Sequence, residues 1–450
     1  MRMKKKKTFD FTTGPILKNL VLFAIPLIIS FTLQNLYNMV DMVVVGRMIG
    51  EEAIAAVGTT SGIFMLVTMF ISGATVGMSV VVSQYLGAGD MKMVNRSIYT
   101  SLYLIMAFTA VTSVLGAVFT RQLLILIRTP ENVLADAVIY LRIIFIGEAA
   151  TAVYNMASQL MRSLGDSLTP MIMLIIASVL NVTLNILFVG PLHMGVAGVA
   201  YGTLLASAFA AVSCLVIAWR VLPVLRPTRE GIRFSPDLAK TVIRIAIPSS
   251  LQSSVMSIGN ICIQTGINTF GATYMAAFNA ASKVDSFISF PPGGLTNGLQ
   301  VFVGQNMGAK QLDRIRESVR KTFFVQLCYH TVTGFILLLF GKSFIRIFVS
   351  DGASAMINIG YTYLIFAAVG GLGNAVRALM LSALIGAGDS EAAFRASIVQ
   401  LAVQVFCAFV LSRYLGYVGV FLGTPLGWAV SGIYGLIRYH SGKWEEKGVV

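Results

Sequence analysis

LKNLVLFAIPLIISFTLQNLYNMVDMVVVG, residues Leu17 to Gly46, is an almost unbroken apolar run long enough to cross a bilayer, yet it carries a polar stripe that ends in a carboxylate. Gln34, Tyr37, Asn38 and Asp41 fall at i, i+3, i+4 and i+7, so helical spacing puts all four on one face. A second copy begins near Leu238, where RIAIP (Arg244 to Pro248) echoes LFAIP (Leu22 to Pro26). The chain is two related halves, and only the first copy keeps the acid.

Of the 450 residues, 56% are hydrophobic and 12% charged, about half the charged fraction of a soluble domain. Several segments exceed the ~20 apolar residues that span a hydrocarbon core, and the alternation of a strand-built barrel, in segments of about ten residues, is missing. The expectation is an all-α polytopic membrane protein, with the lipid bilayer as its solvent. A formal net charge of +14 would point to nucleic acid in a soluble chain. Here the Lys and Arg residues sit between apolar runs, where they set topology, and no nucleic-acid partner is expected. Lys4 to Lys7 read as a cytoplasmic anchor ahead of an uncleaved first helix. Cys214, Cys262, Cys328 and Cys407 stand alone in four apolar runs, and His193, His330 and His440 are scattered, so no metal site is expected.

Charged, Gly and Pro punctuation places twelve spans, at about 16–43, 52–83, 96–119, 134–161, 168–189, 195–219, 239–267, 273–304, 318–340, 355–384, 392–413 and 418–438. With an inside N-terminus, 24 Lys and Arg fall in the cytoplasmic tails and loops and six outside, leaving Arg142, Lys283 and Arg377 within spans. That asymmetry sets both termini on the cytoplasmic side of the inner membrane.

Four landmarks carry the repeat. Pro26 matches Pro248 at an offset of 222, SQYLGAG (Ser83 to Gly89) matches GQNMGAK (Gly304 to Lys310) at 221, and LGDS (Leu164 to Ser167) matches AGDS (Ala387 to Ser390) at 223. GVAGVAYGT (Gly195 to Thr203) matches GYVGVFLGT (Gly416 to Thr424) at 221. Six spans per half make the repeats parallel, related by an axis along the membrane normal. The expected architecture is twelve transmembrane helices in two pseudo-symmetric six-helix lobes around a central cleft. The lobes are residues 1–219 and 239–450, joined by a cytoplasmic loop at 220–238, and the basic, Pro-rich stretch from Arg220 to Lys240 reads as a hinge. Pro26, Pro248, Pro291 and Pro292 mark places where helices could bend, or are ordinary membrane-helix prolines.

Together these strings resemble the multidrug and toxic compound extrusion (MATE) family: AIP…QNLYNMVDMVVVGRMIG in span one, QYLGAGD after span two and RSLGDSLTP after span four. The resemblance covers nearly the whole chain. It implies a fold similar to that of lipid-linked oligosaccharide flippases, and export of cationic lipophilic compounds in exchange for protons or sodium ions. One branch, named for DinF, places its coupling acid in the first helix, where this chain has Asp41. Tyr37, Asn155, Asn181 and Thr203 look like other polar residues of that branch's amino-terminal site. The branch pattern often has a second acid in span five, where this chain has Asn185. The NorM-like branch uses acids in spans seven and ten, and neither span here contains Asp or Glu.

The spacing also points to a site in the first half on its own terms. Span four carries Glu148, Thr151, Asn155, Ser158 and Arg162 along one face, span five carries Ser178, Asn181 and Asn185, and span six carries Thr203 and Ser207. Such faces must turn toward a cavity or one another, and an intramembrane acid is a functional-site hypothesis by default. The alternative for Asp41 is a carboxylate that snorkels to the headgroups. Glu148 either faces a cavity or forms an ion pair with Arg142 or Arg162. Lys283 and Asp285 point to different faces and call for interhelical partners, and Arg377 calls for an acid or helix carbonyls. In the second half Ser253, Ser257, Asn260, Gln264 and Asn268, continued by Gln400 and Gln404, are neutral. They line the substrate route or bond between helices.

The functional expectation is a monomeric secondary antiporter for small molecules. Its coupling group would be built from Asp41, Tyr37, Asn155, Asn181, Asn185 and Thr203. Gln34, Glu148, Asn260, Gln264 and Gln404 would lie toward the substrate cleft. No cofactor is expected, and the coupling ion would be H+ or Na+. The alternative is a lipid-linked substrate flippase of the same architecture, which would call for a strongly cationic cleft. No HExxH, GxSxG or nucleotide-binding loop supports an enzyme.

Overall fold

The computed structural model describes residues 9–348 and 354–450, without the side chains of Asn38 and Glu51. Lys4 to Lys7 and the Asn38 part of the polar stripe lie outside the described residues. Among the described residues there are twelve long helices and no strand. They are α1 (Ile16–Met48), α2 (Glu51–Gly87), α3 (Met91–Leu126), α4 (Glu131–Ser163), α5 (Leu168–Val189), α6 (Gly195–Val221), α7 (Pro236–Asn268), α8 (Ala272–Gly308), α9 (Leu312–Arg346), α10 (Ser354–Ala387), α11 (Ser390–Leu415, with a π-helical turn at Cys407–Leu411) and α12 (Tyr417–His440). Nine are long and apolar enough to cross a membrane by length and composition. The other three, α4, α7 and α8, are 33, 33 and 37 residues long but lack a comparably apolar continuous stretch. Several helices outrun the expected spans, because apolar composition ends at the headgroups while backbone hydrogen bonding continues into water.

The repeat is written into the backbone. Residues in the left-handed region recur at matching positions: Gly50 and Gly271 (φ +125° and +100°), Gly165 and Gly388 (+86° and +97°), and Gly195 and Gly416 (+57° and +61°). Gly89 (+76°) is answered by Lys310 (+58°), which holds the same turn with a Cβ present, at a cost of about 1 kcal/mol. The repeated acids hold the same corners by different means. Asp166 accepts from the Thr169 backbone N–H at 3.0 Å and its hydroxyl at 2.6 Å, opening α5. Its counterpart Asp389 instead accepts from Arg438 Nε of α12 at 2.7 Å.

Two compact units divide the chain. One is Ile29–Ser250 with the segment ending at Asp10, and the other is Phe11–Ile28 with Leu251–Val450. Each unit thus takes in the leading part of a long helix from the other half of the sequence. The boundary falls two residues after Pro26 in α1 and two after Pro248 in α7.

Small residues explain the arrangement within each unit. In the first, Gly73 and Gly77 are spaced four apart on α2. A Cβ on Gly73 would come within 2.3 Å of Ser250 Cα, and one on Gly77 within 2.6 Å of Ala246 Cα. This is the small-residue spacing that lets membrane helices approach backbone to backbone. Ser250 Oγ closes the contact by donating to the Phe70 carbonyl at 2.8 Å. In the second unit Gly294 and Gly298 of α8 repeat the spacing. A Cβ on Gly294 would meet Ile28 Cγ1 at 2.5 Å, and one on Gly298 the Phe23 ring at 3.3 Å.

The connection ahead of α7 is bonded to α3. Tyr99 and Tyr103 donate their hydroxyls to the carbonyls of Leu225 (2.9 Å) and Ile232 (3.0 Å), and Asn95 bonds the Arg226 carbonyl and the Thr228 hydroxyl at 3.0 and 2.9 Å. The stretch read as a hinge is therefore held down along α3.

Candidate functional site

The polar residues of α5 face inward. Asn181 and Asn185, one turn apart, are 1% and 0% exposed in a helix that is otherwise apolar. Burying amides in such surroundings is costly unless they are bonded, and both are. Asn185 Nδ2 donates to Asp41 Oδ1 of α1 and to Asn181 Oδ1 at 2.9 Å. Asn181 Nδ2 donates onward to Thr203 Oγ1 of α6 at 3.2 Å. The Tyr37 hydroxyl, one turn before Asp41, lies near the Thr203 side chain. Three helices therefore converge on one carboxylate, itself half-buried.

Two further residues shape this cluster. Gly202 lies where a Cβ would come within 2.0 Å of Asn185 Oδ1, so the α6 backbone leaves room for the amide. Tyr140 of α4 lies close enough to Asp41 and Tyr37 to interact electrostatically with both. Its sequence neighbourhood is apolar, and no helical spacing connects it to the α1 stripe. A glycine beside Thr203 in the repeated GVAGVAYGT string was the one visible signal for Gly202.

The other expected site residues are distributed more widely. Gln34 is exposed on α1. Asn155 is half-buried on α4, fifteen residues beyond Tyr140, a distance of about 22 Å along the axis, and among the described residues no hydrogen bond joins it to the cluster. Glu148 is 1% exposed inside the first unit, and its Oε1 has no hydrogen-bond partner. The ion pair offered as its alternative is not formed with either arginine. Arg142 Nε donates to the Ala117 carbonyl at 3.2 Å, and Arg162 Nη1 to Gln159 Oε1 at 3.5 Å.

In the second unit Asn260 is exposed, and Gln264 Nε2 donates to Asn268 Oδ1 at 2.8 Å. Gln404 is buried at 1% exposure, where a Cβ on Gly259 would come within 2.0 Å of its Oε1. The positions matching Asp41 and Asn185 are Ile263 and Ala408. Both belong to the apolar core of the second unit, with Phe278, Tyr363, Val420 and Phe421. The second copy has replaced the polar cluster with packing. Among the described residues Arg377 has neither an acid nor a helix backbone carbonyl as partner: its Nε and Nη2 donate to the Asn374 side-chain Oδ1 at 3.2 and 2.7 Å.

Chemically, the Asp41 cluster is a set of oxygen atoms around one negative charge. Among the described residues no Lys or Arg is within ion-pair distance of Asp41. A carboxylate so placed needs a neutralising partner, and amide, hydroxyl and carboxylate oxygens suit a hard cation as well as a proton.

Fold and site together define a helical membrane protein built from a tandem repeat, in which the acid of the first helix, Asp41, is answered by Ile263 in the second copy. The MatE family model matches the chain twice, at residues 26–187 and 248–410, and the chain belongs to that family. The chain is 28% identical over 442 residues to "Probable multidrug resistance protein YpnP" of Bacillus subtilis (strain 168), covering 98% of both chains. It is 25% identical over 444 residues to "Probable multidrug resistance protein NorM" of Thermotoga maritima, covering 97% of this chain and 94% of the other. Among solved structures, the outward-facing conformation of a multidrug resistance MATE family transporter of the MOP superfamily superposes with a TM-score of 0.88. It has 23% identity and covers 98% of this chain and 99% of the other.

Proposed function

We propose that the chain is a secondary antiporter that exports lipophilic, often cationic small molecules by alternating access, and that Asp41 binds the coupling ion, H+ or Na+. The observation that carries this reading is the Asp41 carboxylate, bonded to Asn185 and unmatched by any cation of the protein among the described residues. Occupancy by a proton or a monovalent cation neutralises it, and release restores the charge. A charge that appears and disappears in this way changes the relative stability of two helix arrangements, which is what coupling requires. Asn185, Asn181, Thr203 and Tyr37 hold the acid in place, and Asn155 extends the polar surface along α4. Gln34, Glu148, Asn260, Gln264 and Gln404 are the polar side chains offered to the substrate.

Relatives that match over 98% and 94% of their length are named for multidrug resistance, which favours this reading over a lipid-linked substrate flippase. The work of such a protein is binding and release, with no covalent step. The distribution of Lys and Arg supports both termini on the cytoplasmic side of the inner membrane, and we take the monomer as the working unit. Counterflow in sealed vesicles tests the carrier: trapped unlabelled dye should accelerate uptake of labelled dye, whereas a pore gives no such acceleration.

A further inference from the structure

The second unit contains an ionisable group of side chains that the Asp41 site does not use. Asp285 of α8, His330 of α9 and Asn374 of α10 line one narrow cavity, which Trp428 of α12 helps to close. Its volume, about 10 Å³, is that of a single water. His330 is 7% exposed, and its Nε2 has no hydrogen-bond partner. The Nδ1 edge of the ring sits in the space left open by Gly371, where a Cβ would lie 2.9 Å from Nδ1. Asp285 Oδ2 accepts from the Tyr363 hydroxyl at 3.4 Å, a long bond that leaves most of the carboxylate's capacity unused. Tyr363 is itself held edge-on by Phe278 and Phe421, with ring centroids 5.2 and 5.3 Å away.

The charges around this cavity can be named helix by helix. On α8, Lys283 is turned away over the Phe348 ring at 5.8 Å, leaving Asp285. On α9 the neighbouring Tyr329 donates to the Ile288 carbonyl at 2.8 Å, leaving His330. On α10 the groups are Tyr363 and Arg377, the latter clamped on Asn374. From Tyr417 to Leu436, α12 carries no charged residue. With Asp285 ionised and Arg377 charged, the group is neutral overall while His330 is neutral, and gains one positive charge when a proton enters. An imidazole nitrogen and a carboxylate lining one cavity suit a proton better than a sodium ion, which prefers oxygen alone.

We propose that Asp285 and His330 form a second proton site, independent of Asp41 and built on α8 and α9 of the second unit. It goes beyond the reading of Asp41 and gives the second unit its own response to pH.

Histidine NMR on the full chain in lipid nanodiscs tests this directly. The chain has 3 histidines, so His193→Gln with His440→Gln leaves His330 as the single imidazole signal. That signal should titrate as the pH is lowered. Asp285→Asn should displace its midpoint by roughly tenfold or more in proton concentration, and Tyr363→Phe, a milder change, by a smaller amount in the same direction. Asp41→Asn should leave it in place. A signal that does not titrate, or a midpoint unmoved by both Asp285→Asn and Tyr363→Phe, overturns the proposal. These readings need no transport, so their failure is distinct from failure of the Asp41 assignment. In dye export, His330→Gln and Asp285→Asn should alter the pH profile alike while the sodium dependence stays unchanged, and opposite effects of the two would contradict a shared proton.

Discussion

Asn185 of α5 donates to Asp41 of α1 and, with the same amide nitrogen, to Asn181 one turn earlier at 2.9 Å. The amide thereby binds the acid to the α5–α6 pair and fixes a single negative charge at the centre of the cluster. Replacing it with a second acid changes the number of charges without changing the shape. Asn185→Asp should shift the pH or sodium dependence of export, since two carboxylates in bonding distance share a proton or demand a cation. Initial export rates across a grid of pH and sodium concentrations provide the check, and an unchanged grid would mean that Asn185 does not act through Asp41.

Gly202 tests the same contact from the other side. A Cβ there would come within 2.0 Å of Asn185 Oδ1, so Gly202→Ala must displace the amide from Asp41. The expected result is weakened coupling for every substrate alike, with a stability loss of about 1–3 kcal/mol. Transport of several dissimilar dyes, with thermal unfolding in detergent alongside, separates this from a change in substrate choice.

Two glycines of α2 should respond to the same substitution with opposite signs. Gly73→Ala puts a Cβ within 2.3 Å of the Ser250 backbone, whereas Gly58→Ala meets nothing within 4 Å. The first should lower stability by about 1–3 kcal/mol, and the second should raise it by up to about 1 kcal/mol, as alanine replaces glycine in a helix. Thermal unfolding of the two variants reads both signs.

Much of this structure was legible in residue spacing. Tyr37 and Asp41 on one face of α1, and Asn181 and Asn185 one turn apart on α5, follow from helical periodicity. The near-constant offsets of four landmarks follow from duplication. What was not legible depends on approach between helices. Nothing in the α4 sequence brings Tyr140 to Asp41. The four-residue glycine spacings of α2 and α8 acquire meaning only when the α7 and α1 backbones are seen against them. Gln404, neutral and in register with a polar stripe, is buried because Gly259 makes room for it. Asp285 and His330 lie 45 residues apart, on helices whose packing no local pattern specifies.

The most direct test of the account is gradient-driven dye export by Asp41→Asn in sealed vesicles, with dye binding measured on the same preparation. The amide copies the shape of a protonated carboxyl and can still meet Asn185, but it can neither gain nor lose a proton or bind sodium by charge. The account predicts a folded, inserted protein that binds dye and does not export it under either a proton or a sodium gradient. Export at the wild-type rate would contradict the assignment of coupling to Asp41.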